Sequence, residues 1–281
     1  MSGFSPEWLA LRENADRAAC NERVRHACAQ HFSGREALRI VDLGCGDGSN
    51  FRLLQPYLGR QQFWLLIDHD PRLLDAARQR LTQWADAAEL SEGRLHLRRE
   101  NCALTIEFAQ ADLAVGVAPW LEGADLVTAK ALFDLCSKDW IAQFARELAA
   151  RAIPLMASLS YDGREAWQPP HPADVAMLTA FHAHQQRDKG LGPAAGPQAA
   201  TCLRECLAQA GYKMVHGASD WQITGDDAKL MAALAQGSAQ AVSETGLVAP
   251  DVIAAWASAR IGALAVRIGH EDLFAHPPGR R

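Results

Sequence analysis

The segment Val41-Asp42-Leu43-Gly44-Cys45-Gly46-Asp47-Gly48-Ser49-Asn50 places three alternating glycines directly after an apolar run. Glycines at this spacing let a chain leave a strand, turn tightly and enter a helix with no side chain in the way of a ligand. The first turn of that helix then offers unpaired N–H groups and positive potential to an anionic group. A dinucleotide fingerprint of the form GxGxxG would put its third glycine at position 49, which is Ser49 here; the glycine falls one residue earlier, at Gly48. About twenty residues further on, a second apolar run ends in Asp68, followed by His69 and Asp70; a carboxylate at such a strand end suits two ribose hydroxyls. A third carboxylate, Asp112, follows the next strand-like run, where an adenine amino group would donate to it. Asp42, Asp68 and Asp112 thus fall at or near the carboxyl ends of neighbouring strands, the ligand-binding edge of open α/β sheets. Each also has a plainer reading. Asp42 and Asp47 suit loop and helix caps, Asp70 before Pro71 suits a helix cap, and Asp112 suits a turn.

The combination VDLGCGDGS, LLIDHDPRLLDAA, AQADL and ADLVTAKALFDL, spread over most of residues 38–160, resembles the class I S-adenosylmethionine-dependent methyltransferases. The resemblance implies a three-layer, Rossmann-like α/β fold whose mostly parallel sheet has seven strands, the last antiparallel. It implies S-adenosyl-L-methionine as cofactor, with Gly44, Gly46 and Gly48 bordering its methionine and ribose portions. Asp68 would take the ribose hydroxyls, Asp112 the adenine, and Asp42 would orient the loop or the amino group. Arg12, on a helix that covers the cofactor in the resemblance, would pair with the methionine carboxylate; a solvent-facing arginine is the alternative. Lys130 stands where a small or polar residue is usual, beside the sulfonium, and its role is left open.

Methyl transfer from a sulfonium is an in-line displacement, so positioning is the protein's main task, and a base helps when the acceptor keeps its proton until late. His184 and Asp134 are the candidate bases. His184 also suits a solvated helix face, and Asp134 a cap of the helix that follows Ser137. An acceptor of small-molecule size is expected, because a polar lid of a few dozen residues suits enclosure. A tRNA or protein methyltransferase, or a non-catalytic S-adenosylmethionine-binding protein, is the alternative. An NAD-dependent oxidoreductase fails at Ser49.

The elements needed to hold these residues alternate along the chain as strand and helix, the pattern of a parallel sheet covered on both faces. Strands are expected at 38–43, 63–67, 104–109, 125–129, 153–160, 212–216 and 262–268, with a weaker one at 95–97. The whole of 1–281 reads as a single methyltransferase domain. Within it, 1–36 forms an N-terminal helical cover, 161–196 a lid or substrate insertion, and 226–261 a helical insertion before the last strand. The composition fits such a domain, with 281 residues, 49% of them apolar, enough for a sizeable core. A net charge of -5 supplies no basic field for a phosphate backbone and argues against a nucleic-acid partner. No long apolar run suits a membrane span, and the first residues do not read as a secretory signal. Seven cysteines without a CxxC pair suit neither a disulfide framework nor a zinc site, so a reduced, cytoplasmic protein without metal is expected. The oligomeric state is not legible.

Overall fold

The computed structural model describes residues 4–278. The chain opens with α1 (Pro6–Ala19) and α2 (Glu22–His31). Ser5 starts α1 by accepting the Trp8 N–H on its hydroxyl, and Pro6 occupies the first turn, where no N–H is needed. The sheet begins with β1 (Ala37–Leu43), which passes through the glycine loop into α3 (Ser49–Leu54) and returns as β2 (Gln61–Asp68). Asp70 then caps α4 (Pro71–Trp84). A hairpin of β3 (Ala87–Ser91) and β4 (Arg94–Arg99) leads to β5 (Cys102–Gln110), and β6 (Leu126–Lys130), α5 (Lys138–Arg151) and β7 (Leu155–Gln168) follow. The remainder is α6 (Asp174–Gln185), α7 (Ala199–Gln209), β8 (Lys213–Ala218), β9 (Trp221–Thr224), α8 (Ala228–Ser243), α9 (Pro250–Ile261) and β10 (Ala265–His276).

The strands form one sheet in the order β3-β4-β5-β2-β1-β6-β7-β10-β8, with β9 pairing on β10. From β5 to β7 all pairings are parallel, whereas β10 runs antiparallel to both β7 and β8. The expected mostly parallel sheet with an antiparallel last strand is therefore present, but with ten strands among the described residues rather than seven. The additional three are the β3–β4 hairpin, which extends the β5 edge antiparallel, and the short β9.

Alternation along the strands sorts the core into layers. Leu38, Ile40, Trp64 and Leu66 face α2, α3 and α4, while Val41, Leu43, Val127 and Ala129 face α5 and α7. A third apolar cluster joins Trp167, Trp221, Met177, Leu230, Ile253 and Trp256 from β7, β9, α6, α8 and α9.

Two strand ends depart from expectation. β7 runs on to Gln168 instead of stopping at 160, so the segment 161–196 starts as a strand, continues through α6 and closes in a turn. β10 starts at Ala265 and reaches His276, well beyond the expected 268. The two strands hold each other extended across irregularities between Ile268 and His270 and between Glu271 and Leu273. The first of these irregularities sets Asp162, Gly163 and Arg164 of β7 opposite the single residue Gly269 of β10, as in a bulge.

Candidate functional site

A cavity of about 440 Å³ opens at the carboxyl ends of β1, β2 and β6, under α1. Gly44, Gly46, Asp68, Asp112 and Arg12 all line it. Its floor is the glycine loop. Gly46 has φ +54°, and a Cβ there would lie 2.9 Å from Leu9 Cδ1, so a side chain would both strain the turn and collide with α1. The Gly46 N–H donates to Asp68 Oδ2 at 2.9 Å, and the other oxygen, Oδ1, accepts the Asp70 N–H at 3.0 Å. Strand end and glycine loop are thereby locked together through one carboxylate, which remains at the cavity wall.

Asp42 and Gly48 do not line the cavity. Asp42 is fully buried beneath the loop, its Oδ1 accepting from Thr128 Oγ1 at 2.6 Å and Asn50 Nδ2 at 2.7 Å, while Oδ2 has no partner. It thus braces β1, β6 and α3 instead of facing a ligand. Gly48 faces Leu81 and caps α3 with φ 77°. Its conformational freedom serves the turn, and of the three glycines Gly44 and Gly46 line the cavity. Asp47 is also buried, accepting from the Ser49 N–H and pairing with Arg80. Asp112 lines the cavity, and its side chain accepts the Ala114 N–H at 2.8 Å, so the turn role is realised in the same residue.

Burial raises the Asp42 carboxyl to about 6, the bonds from Thr128 and Asn50 opposing only part of that. The folded value lies above the ordinary one, so the stabilising proton is fully held below about pH 4 and is lost as pH rises through about 6. Asp42→Asn, which cannot ionise, will therefore gain stability relative to the unaltered protein between pH 4 and 7.5. The gain will be up to about 3 kcal/mol, from roughly two pKa units at about 1.4 kcal/mol each. Urea unfolding at both pH values checks this; a difference that does not change with pH would exclude it.

Arg12 lines the cavity but is not a free cation, since its Nε donates to Asp16 Oδ1 at 3.0 Å and its guanidinium lies over the Trp221 ring. Asp16, Lys130 and Ser49 also line the cavity and were not anticipated as a set. The i,i+4 spacing of Arg12 and Asp16 on α1 was the available signal. Lys130, at the end of β6, donates to Asp16 Oδ2 at 2.9 Å and to Ser49 Oγ at 2.5 Å. Apolar walls come from Leu9, Leu73, Leu113, Leu132, Leu135 and Leu191.

The two expected bases lie outside this lining. His184 Nε2 is 2.9 Å from Glu244 Oε2, a contact that ties α6 to the end of α8. Asp134 sits between the lining residues Leu132 and Leu135, in a short 3-10 turn. Its side chain is partly accessible, yet Oδ1 is buried without a partner, and burial raises the carboxyl to about 6 against the pull of Arg12.

The sequence matches no family model. A search of curated proteins finds no match. Among solved structures, the chain is similar to a putative methyltransferase from Bacillus halodurans, with 12% identity, 90% of this chain and 98% of that one covered, and a TM-score of 0.49. It is similar to a cyclopropane-fatty-acyl-phospholipid synthase-like protein from Lactobacillus casei, with 16% identity, 93% and 91% covered, and a TM-score of 0.48. A cyclopropane synthase from Mycobacterium tuberculosis shares 12% identity over 89% of this chain and 82% of that one, with a TM-score of 0.47. The chain's own topology decides the fold, since the glycine loop lies at the centre of a β5-β2-β1-β6-β7 parallel run that ends in antiparallel β10. It is a Rossmann-like α/β fold. Within this fold, the cavity occupies the carboxyl edge of the sheet, where open α/β sheets take their ligands. Among the described residues, no group of His, Cys, Asp and Glu could hold a metal ion, and no helix is long and apolar enough to cross a membrane.

Proposed function

We propose that the protein is an S-adenosylmethionine-dependent methyltransferase acting on a small-molecule acceptor. The observation that carries this reading is the Asp68 carboxylate, tied to the Gly46 N–H at 2.9 Å where both line one cavity. The cradle fits the cofactor because Gly46 leaves the space that a Cβ would fill. Asp68 would hold the ribose hydroxyls, Asp112 the adenine amino group, the Gly44–Gly46 backbone the centre of the donor, and Arg12 its carboxylate. When bound, the donor supplies an electrophilic methyl carbon on a sulfonium.

The chain's own part is to align and enclose. Positioning of acceptor and donor contributes several kcal/mol, and the leucines around the cavity keep water from competing. Asp134 is the better of the two proton acceptors. It stands in the chain between the lining residues Leu132 and Leu135, and burial raises its carboxyl to about 6. His184 is engaged by Glu244 and is not assigned a chemical role. A largely apolar cavity of about 440 Å³ favours a small acceptor over tRNA or protein. The seven unpaired cysteines suit a reducing, cytoplasmic setting.

Isothermal titration with S-adenosylhomocysteine is the first test, with a micromolar Kd expected. Labelled methyl donor incubated with a metabolite extract should then pass label to a small molecule. Absence of binding would remove the reading, whereas binding with no transfer to any small molecule would favour a sensor.

A further inference from the structure

Among the residues that line the cavity, three charged side chains form a chain. Asp16 uses Oδ1 for Arg12 Nε at 3.0 Å and Oδ2 for Lys130 Nζ at 2.9 Å. The Arg12 and Asp16 side chains are 9% and 4% exposed, and that of Lys130 is 10% exposed. Burial pushes the Asp16 carboxyl up, but Arg12 and Lys130 together hold it below its usual range, so it stays ionised. Arg12 and Lys130 then share Asp16 as their one hydrogen-bonded carboxylate partner at the cavity wall. Sequestering such a set from water is costly unless further partners complete it. The hydrogen bonds present leave that completion open. Arg12 donates to Asp16 through Nε alone, and its terminal nitrogens bond to no described residue. Lys130 spends two of its three N–H donors, on Asp16 and Ser49. Donors of both cations and lone pairs of Asp16 thus border the same space.

A ligand complementary to this arrangement carries an anion and a cation on adjacent atoms, as an α-amino acid zwitterion does. We infer that Lys130 and Asp16 form, with Arg12, a clamp for the amino-acid end of the donor. Lys130 and Arg12 take the carboxylate and Asp16 takes the ammonium. The inference rests on the donor reading above and deepens it. It also gives Lys130 a binding role at a position where the sequence alone left its role open.

The test compares S-adenosylhomocysteine with 5'-methylthioadenosine, which keeps the adenosine and sulfur but lacks the amino-acid end. Titration calorimetry is run on the unaltered protein, Lys130→Met, Lys130→Gln and Lys130→Arg. Both neutral variants should bind S-adenosylhomocysteine at least tenfold more weakly while keeping 5'-methylthioadenosine affinity within twofold, and Lys130→Arg should recover most of the loss. Retained 5'-methylthioadenosine binding shows in the same experiment that the variant is folded. If both neutral variants keep full S-adenosylhomocysteine affinity, or lose both ligands in equal proportion, the clamp is wrong while the donor reading stands. If the unaltered protein binds neither ligand, the donor reading falls and the clamp falls with it.

Discussion

Asp68→Ala will bind S-adenosylhomocysteine about a hundredfold more weakly than the unaltered protein, a loss of roughly 2.7 kcal/mol. Two contributions add in that number. The carboxylate would accept two ribose hydroxyls, and hydrogen bonds to a charged group contribute about 1.5–3 kcal/mol each. It also anchors the Gly46 N–H at 2.9 Å and the Asp70 N–H at 3.0 Å, so its removal frees the glycine loop that must be in place before the donor arrives. Asp68→Asn separates the two. The amide oxygen can still accept one N–H, so the loop is partly held, while one charged acceptor for the ribose is gone. A loss of about tenfold is expected, on the order of 1.4 kcal/mol. Titration calorimetry on both variants reads the difference, with thermal melting run alongside to confirm folding. Equal affinity in all three proteins would remove Asp68 from the donor site.

The parts of this site written in sequence are those that one strand–turn–helix unit builds alone. The glycine spacing, Asp68 at a strand end and the Asp70-Pro71 helix start depend on residues within a few positions of each other, so their geometry follows from local backbone preference. The charged end of the cavity is different in kind. Lys130 reaches Asp16 across 114 positions, and nothing in the pattern around either residue marks the other. The same distance in sequence concealed the reach of β7. The strand expected to end at 160 continues because Ala265, Arg267 and Ile268 pair with Gln168, Ala166 and Glu165 about a hundred residues away. The lid expected at 161–196 is therefore partly sheet, with α6 docked by Met177 and Ala180 into the cluster around Trp167 and Trp256. His184 drew notice as a polar residue near a flexible turn, but the end of α8 supplies Glu244 to hold it. The reading of Asp134 as a helix cap also gave way, because Ser137 itself caps α5 through the Trp140 N–H.

Arg260→Ala will lower stability by about 3 kcal/mol without altering donor affinity. Arg260 is 1% exposed, and its terminal nitrogens donate to Pro169 O at 2.6 Å and Asp174 Oδ1 at 2.7 Å. Its guanidinium lies 5.6 and 5.8 Å from the Trp167 and Trp256 ring centres. One side chain therefore joins α9 to the start of α6 and to the segment just after β7. Breaking a buried ion pair from one side costs about 3–5 kcal/mol, because the other charge and a carbonyl lose their partner. The lower end applies here, since the Asp174 side chain is 26% exposed and keeps bonds from Trp256 Nε1 at 2.7 Å and the His171 N–H at 2.8 Å. Arg260→Met keeps much of the volume between the two tryptophans and avoids the cavity that alanine would leave, so it should cost at least 1 kcal/mol less. Urea unfolding should rank the unaltered protein above Met and Met above Ala. Calorimetry with S-adenosylhomocysteine should return one Kd for all three, because none of these residues lines the cavity under α1. A Kd that weakened in step with stability would mean that the α6–α9 layer and the glycine-loop layer open as one unit.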